Sequence, residues 1–299
     1  MDTTMEARLA GTKSRLIDRI ERVDLRVTDI ETSLGFYRDI VGLEVLEQDE
    51  ESATLRAPNG PVLLTLTSEG VMMPADKSAT GLFHVAIRFP GKAELGDALA
   101  RLVSAGFEIG AGDHGVSEAL YIDDPDGNGI ELYYDRPRSE WPAPEGDGLV
   151  GMTTGPVDLQ ALLDAGRASA AVGAAAAPGT DVGHVHLQAG EIDRTVRFYA
   201  DELGLDLMQR FGGQAAFLSS NGYHHHIGAN TWSSRGGAPA TRDRAGLDRV
   251  VFAVTDAELL ERTRVRLAEH ARRPEGDEGH ELVVRDPDGI ELRFVLRSA

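Results

Sequence analysis

The chain has 299 residues, 41% of them hydrophobic and 26% charged, with a formal net charge of −19 and no cysteine. That length suits two domains of ordinary size, and the composition is globular rather than disordered. Disulfides and thiolate metal sites are excluded, so acidic a surface makes nucleic acid and membrane unexpected partners, no apolar run could span a bilayer, and no secretory signal is legible; the cytoplasm is the default location.

Residues 1–19 read as an N-terminal extension. A strand from Arg22 to Val27 then leads into an amphipathic helix with Ile30, Leu34, Tyr37 and Val41 on one face. Short strands are predicted at Ala53–Ala57 and Pro61–Thr67. A second unit opens with the strand at Gly81-Leu-Phe-His-Val-Ala-Ile-Arg, followed by a helix over Ala93–Ala105 that Gly106 ends. Ala119–Ile122, an Asp-Pro-Asp-Gly turn and Gly129–Tyr134 complete it. From Arg138 to Asp181 the pattern breaks into Trp-Pro-Ala-Pro-Glu-Gly-Asp-Gly, a short helical segment (Val157–Ala165) and an Ala/Gly-rich run, read as a linker.

Beyond the linker the chain repeats itself. Phe36-Tyr37 recurs as Phe198-Tyr199 and Gly42-Leu43 as Gly204-Leu205, at one constant offset. The same offset carries Pro125 of Asp124-Pro-Asp-Gly-Asn-Gly-Ile-Glu-Leu132 onto Pro287 of Asp286-Pro-Asp-Gly-Ile-Glu-Leu292. Two distant blocks with one spacing imply duplication of everything between them. The chain therefore reads as an α+β fold of four βαβββ modules starting near residues 20, 81, 182 and 246. They are grouped as a first pair (20–137), the linker (138–181) and a second pair (182–299).

These modules, with Phe-Tyr in a first helix or Asp-Pro-Asp-Gly before a last strand, resemble the vicinal oxygen chelate superfamily, in which modules pair into two half-open barrels. More closely, the chain is similar to the two-domain bacterial catechol-2,3-dioxygenases. The segments Gly81-Leu-Phe-His84, Asp113-His-Gly-Val-Ser…Tyr121…Glu131, Gly183-His-Val-His186 and Gly222-Tyr-His-His-His226 carry that likeness. It implies a ring-cleaving dioxygenase acting on a small aromatic diol and O2, with Fe(II) as cofactor and Mn(II) as the alternative, since the same ligands serve both. A homo-oligomer is left open.

The resemblance further implies a metal between two paired modules, held by first-strand residues and a last-strand carboxylate. First-strand positions hold Arg22, His84, His184 and Arg249, and last-strand carboxylates are Glu131 and Glu291. A guanidinium stays protonated and has no lone pair for a cation. Neither half of the sequence therefore contains a full triad. A triad of His84, Glu131 and His184 closes if the second and third modules pair, leaving Arg22 and Arg249 in a metal-free site. The second choice is a site within the C-terminal half, with His226 beside His184 and Glu291.

Ring opening moves protons, which calls for a group titrating near neutrality. The resemblance maps this role onto His225. On a strand, alternation would turn inward either His225 alone or His224 and His226 together, so His226 stays a second candidate. Tyr121 is expected to hydrogen-bond a substrate oxygen and His114 to orient substrate. His186 shares a face with His184, and His270 and His280 are read as solvent-exposed. The competing readings are a glyoxalase-type isomerase, which resembles this fold but uses a carboxylate from each half of the site, and a non-catalytic small-molecule-binding protein. Histidine at the matching last-strand position of the third module is taken to favour the dioxygenase.

Overall fold

The computed structural model describes residues 14–144, 149–168, 175–272, 274 and 280–298. The first module runs β1 (Arg19–Arg26), α1 (Ile30–Phe36, continuing as a π turn over Tyr37–Val41), β2 (Glu44–Gln48), β3 (Ser52–Arg56) and β4 (Val62–Thr67). The second is β5 (Gly81–Phe89), α2 (Lys92–Ser104), β6 (Gly110–Asp113), β7 (Ser117–Asp123) and β8 (Gly129–Asp135). After the linker helix α3 (Leu159–Ala168) comes the third: β9 (Asp181–Gln188), α4 (Ile192–Val196, continuing as a π turn over Arg197–Glu202), β10 (Asp206–Phe211), β11 (Ala215–Ser219) and β12 (Ile227–Asn230). Among the described residues the fourth holds β13 (Gly246–Val254), α5 (Ala257–Glu269), β14 (Glu281–Arg285) and β15 (Glu291–Leu296).

Two curled sheets form the vicinal-oxygen-chelate architecture. One has the order β14-β15-β13-β1-β4-β3-β2 and the other β10-β11-β12-β9-β5-β8-β7-β6. Each takes one module from each half of the sequence. β5 pairs antiparallel with β9, centred on Val85↔Val185, and β1 pairs with β13 through Val23↔Val250. The second and third modules thus share a sheet, as do the first and fourth.

The sequence repeats explain how the two sheets are tied. In α1 the apolar face, Ile30, Leu34, Tyr37 and Val41, is buried, and Asp29 caps the helix by accepting from the Thr32 amide at 2.7 Å. The Tyr37 hydroxyl donates to Asp124 of the second module at 2.8 Å, and the Tyr199 hydroxyl to Asp286 of the fourth at 3.2 Å. Each Phe-Tyr motif is therefore bonded to an Asp-Pro-Asp-Gly turn in the opposite sheet. One apolar core runs through both sheets, from Leu25 and Leu64 to Val185 and Phe294.

The termini of the modules are less separate than the sequence reading has them. Leu16 and Ile17 are buried, and Ser14 Oγ lies 2.8 Å from Ser220 Oγ of the third module; residues 1–13 lie outside the described part. The linker packs rather than merely spans. α3 lies on α2, Trp141 is buried, and the amides of Leu149 and Gly155 bond to Met208 and Asp113.

Candidate metal centre

Strand periodicity brings the candidate ligands to one face. His84 pairs with His186 and Ala86 with His184 across β5 and β9, while Ala86 also pairs with Glu131 on the parallel β8, and Glu131 with Tyr121 on β7. Side chains two apart on a strand share a face, so His84, His184, His186, Glu131 and Tyr121 all project from the same side of the sheet. A bulge between Leu82 and His84 breaks the alternation and puts Phe83 beside His84 in the cavity lining.

His84, Glu131 and His184 are all buried, and one potential ligand atom from each lies within 4.8 Å of the others. His84 Nε2 approaches Glu131 Oε2 at 2.8 Å and His184 Nε2 approaches the same oxygen at 3.2 Å. His84 Nε2 has no hydrogen-bond partner despite that proximity. Burial would raise the Glu131 carboxyl, but the two facing histidines hold it well below its usual value. Burial pushes His184 down to about 4, against the pull of Glu131. A carboxylate and two imidazoles whose ligand atoms converge on one point fit a divalent cation, and this donor set suits Fe(II) or Mn(II). Among the described residues this is the one cluster of its kind.

The β5–β9 symmetry also identifies a missing ligand. Just as Ala86 pairs with Glu131, His186 pairs with Gly228 on β12. The third module therefore matches Glu131 with a glycine, not with the histidine expected from sequence. A Cβ at Gly228 would lie 2.8 Å from His186 Nδ1, so the imidazole occupies the space a side chain would need. The donor set stays at three.

Among the described residues the other sheet holds no such cluster. Arg22 Nε lies 2.6 Å from Asp24, and Arg249 lies 3.3 Å from Asp24 and 3.5 Å from Glu291. Arg285 and Arg293 also engage Glu291, at 2.8 and 3.1 Å. Glu291 is thus in a different sheet from His184, which overturns the alternative site of His184, His226 and Glu291.

A cavity of about 320 Å³ opens onto the triad. His114 and Tyr121 both line it and form a chain: His114 Nδ1 lies 2.9 Å from the Thr153 carbonyl and Nε2 lies 2.6 Å from the Tyr121 hydroxyl. A carbonyl only accepts, so Nδ1 carries the proton and, in the neutral ring, Nε2 accepts from Tyr121. Burial, with Glu131 nearby, raises the Tyr121 hydroxyl well above its usual value.

The three consecutive histidines do not lie on a strand, since β12 begins only at Ile227; they form an irregular, buried segment. His225 lines the cavity, with Nε2 unpartnered. His226 turns away, its Nδ1 at 2.9 Å from Ser219 Oγ, outside the cavity lining. His224 links His225 to Asp135: His225 Nδ1 lies 2.8 Å from His224 Nδ1, and His224 Nε2 lies 2.8 Å from Asp135 Oδ1. Asp135 also accepts from Arg88 and from the Tyr223 hydroxyl, each at 2.9 Å. Burial raises its carboxyl, yet His224 and Arg88 hold it below the usual value, so it is an acceptor near neutrality. With Asp135 accepting from His224 Nε2–H, the His224 Nδ1 lone pair faces His225 Nδ1–H, which leaves His225 Nε2 as the nitrogen that faces the cavity without a partner.

Asp135, Gly228 and the linker residues Met152, Thr153 and Thr154, which line the cavity, have no role in the sequence reading. Asp135 was within reach of it, four residues from Glu131 on the same strand face. The linker carries no periodic signal. His186 is buried beside His84, with ring centroids 4.9 Å apart, and His270 and His280 are exposed as expected.

Residues 19–132 and 181–294 match the family described as the Glyoxalase/Bleomycin resistance protein/Dioxygenase superfamily. The chain belongs to this superfamily. A catechol-2,3-dioxygenase of Bacillus subtilis (strain 168) is 40% identical over 276 residues, 91% of this chain and 95% of the relative. The chain is a catechol-2,3-dioxygenase-like enzyme. Glyoxalase I from Zea mays superposes with a TM-score of 0.55 at 17% identity, covering 93% of this chain and 92% of that one. The cppA protein of Streptococcus pneumoniae TIGR4 does so with a TM-score of 0.57 at 12% identity, covering 95% and 100%. These two likenesses are of fold. Among the described residues no helix is long and apolar enough to cross a membrane.

Proposed function

We propose that this enzyme opens catechol-like aromatic diols with O2 at a mononuclear Fe(II), held by His84, Glu131 and His184. The observation that carries the proposal is a buried two-imidazole, one-carboxylate cluster whose symmetry-related fourth position is Gly228. Three protein ligands leave room for a chelating diol and for dioxygen, whereas a second carboxylate would fill part of that space. The 40% identity to a catechol-2,3-dioxygenase supports the same reading. A bound Fe(II) supplies open coordination positions and the one-electron chemistry through which a diol and O2 react. Mn(II) suits the same donors.

The chain supplies positioning and proton handling. His225 Nε2 accepts a diol proton and returns it to a product oxygen, with His224 and Asp135 fixing its tautomer; burial keeps the ring well below its usual value, so the proton is passed on rather than retained. Tyr121, kept protonated by its surroundings, already donates to His114, so its oxygen is left to accept from a diol hydroxyl. Met152, Thr153 and Thr154 wall the cavity against water.

The test is anaerobic purification, loading with Fe(II), and exposure to catechol in air. A yellow ring-opened product with one O2 consumed per ring is expected. No product from any catechol or hydroquinone, together with metal-dependent isomerisation of a hemithioacetal, would move the assignment to a glyoxalase-type enzyme.

A further inference from the structure

We infer that the diol opened by this enzyme carries an uncharged, apolar substituent seated against Phe83, Phe217 and Trp232, and that carboxylated diols are disfavoured. The inference rests on the dioxygenase reading and names its substrate class. Three observations carry it.

Size comes first. The cavity of about 320 Å³ lies within the range of pockets that take ligands larger than one small ring. A bare catechol leaves part of it empty.

The second observation is the wall. Phe83 and Trp232 lie 5.3 Å apart by ring centroid, and His186 lies 5.1 Å from Phe83, 5.8 Å from Trp232 and 5.7 Å from Phe217. These rings form a continuous aromatic surface starting beside the ligand His84, whose ring is 5.2 Å from Phe83. At the outer end Trp232 is 50% exposed and Phe211 59% exposed, both lining the cavity. Large apolar side chains at a cavity mouth favour an apolar guest.

The third is charge. Among the described residues lining the cavity there is no lysine or arginine. Two of the outer polar side chains are already engaged: the Gln209 amide bonds both the amide and the carbonyl of Met152, at 2.8 and 3.0 Å, and both His114 nitrogens are bonded, while the lining hydroxyls of Ser117, Thr153 and Thr154 carry no charge. A carboxylate brought into this space would lose its water without a cationic partner, and the chain's net charge of −19 repels it during approach.

The experiment compares catechol, 4-ethylcatechol and 3,4-dihydroxyphenylacetate on the Fe(II)-loaded enzyme. In parallel, binding of the last two to the metal-free protein is followed under anaerobic conditions through Trp232 fluorescence, with Trp232→Phe as the blank. A kcat/KM for 4-ethylcatechol about 100-fold above that for the carboxylated diol is expected, with the same order in Kd. Trp232→Ala should lower kcat/KM for 4-ethylcatechol about tenfold more than for catechol. Equal or better use of the carboxylated diol, with catechol opened normally, overturns the substituent inference and leaves the dioxygenase reading standing. If no diol is opened, the dioxygenase reading fails, and the substrate-class inference falls with it, whichever diol binds more tightly.

Discussion

One oxygen of Glu131 faces both His84 and His184, which places it at the centre of the proposed metal site. Glu131→Gln keeps the shape and removes the charge. Metal affinity should fall at least about 100-fold, beyond what an outer-shell change costs, as read by metal content after dialysis. Retention of a full equivalent of iron would remove Glu131 from the ligand set. Asp135 acts one step further out. Asp135→Asn leaves the metal content intact but removes the charge that fixes His224 and, through it, His225. The kcat should drop by about tenfold or more with little change in KM, and Asp135→Glu should recover part of it. His225→Gln should cost more, about 10²–10⁴-fold. An Asp135→Asn enzyme with unaltered kcat would reduce the histidine pair to a packing feature.

At the scale of elements, the linker helix is held by backbone contact. A Cβ on Gly96 of α2 would lie 2.2 Å from the Leu162 carbonyl oxygen of α3, and one on Gly166 would lie 2.6 Å from the Gly96 carbonyl carbon. Two glycines facing each other let the helices approach closely. Gly96→Ala should push them apart and destabilise the fold by about 1–3 kcal/mol, measured by urea unfolding. Wild-type stability in that variant would show that α3 is free to lift away. The tyrosine–aspartate bonds act across a longer distance. Each joins the two modules of one sequence half, while the sheets join modules from different halves.

For the whole molecule, the buried histidines dictate a direction of pH dependence. Burial lowers His184 to about 4 and His226 to about 3, and pushes His186 and His225 well below their usual value. The unfolded chain takes up protons at these residues near pH 6.5 and the folded chain does not. Their contribution is therefore complete above that pH and is lost as pH falls from about 6.5 toward 4. Asp286 works in the opposite sense, since burial raises it to about 7 and the folded state keeps its proton as pH rises from the unfolded value. Burial raises Asp97, Asp124 and Asp288 in the same sense, and the four histidines are set against these acids. The metal-free protein should lose about 1.4 kcal/mol per pH unit for each uncompensated histidine between pH 6.5 and 5, followed by chemical denaturation. A stability that rises on acidification would show these histidines to be protonated in the fold.

Period-two alternation and the repeated motifs are local, and they made the modules legible in the amino-acid sequence alone; the candidate ligands His84, Glu131 and His184, and the arginines at the matching positions of the other modules, followed from the family resemblance laid on those modules. The linker was not legible, because its contacts on α2 and over the cavity follow no period. The resemblance pointed to His225 as the inward histidine, but alternation alone would not have decided it, since the run lies outside any strand. The arginines pointed to a pairing of the second and third modules and strand register established it, whereas which residue stands opposite Glu131 across the symmetry axis and how Asp135 reaches His225 were decided only by tertiary structure. Strand register pairs residues far apart in the chain, and no local pattern encodes the partner.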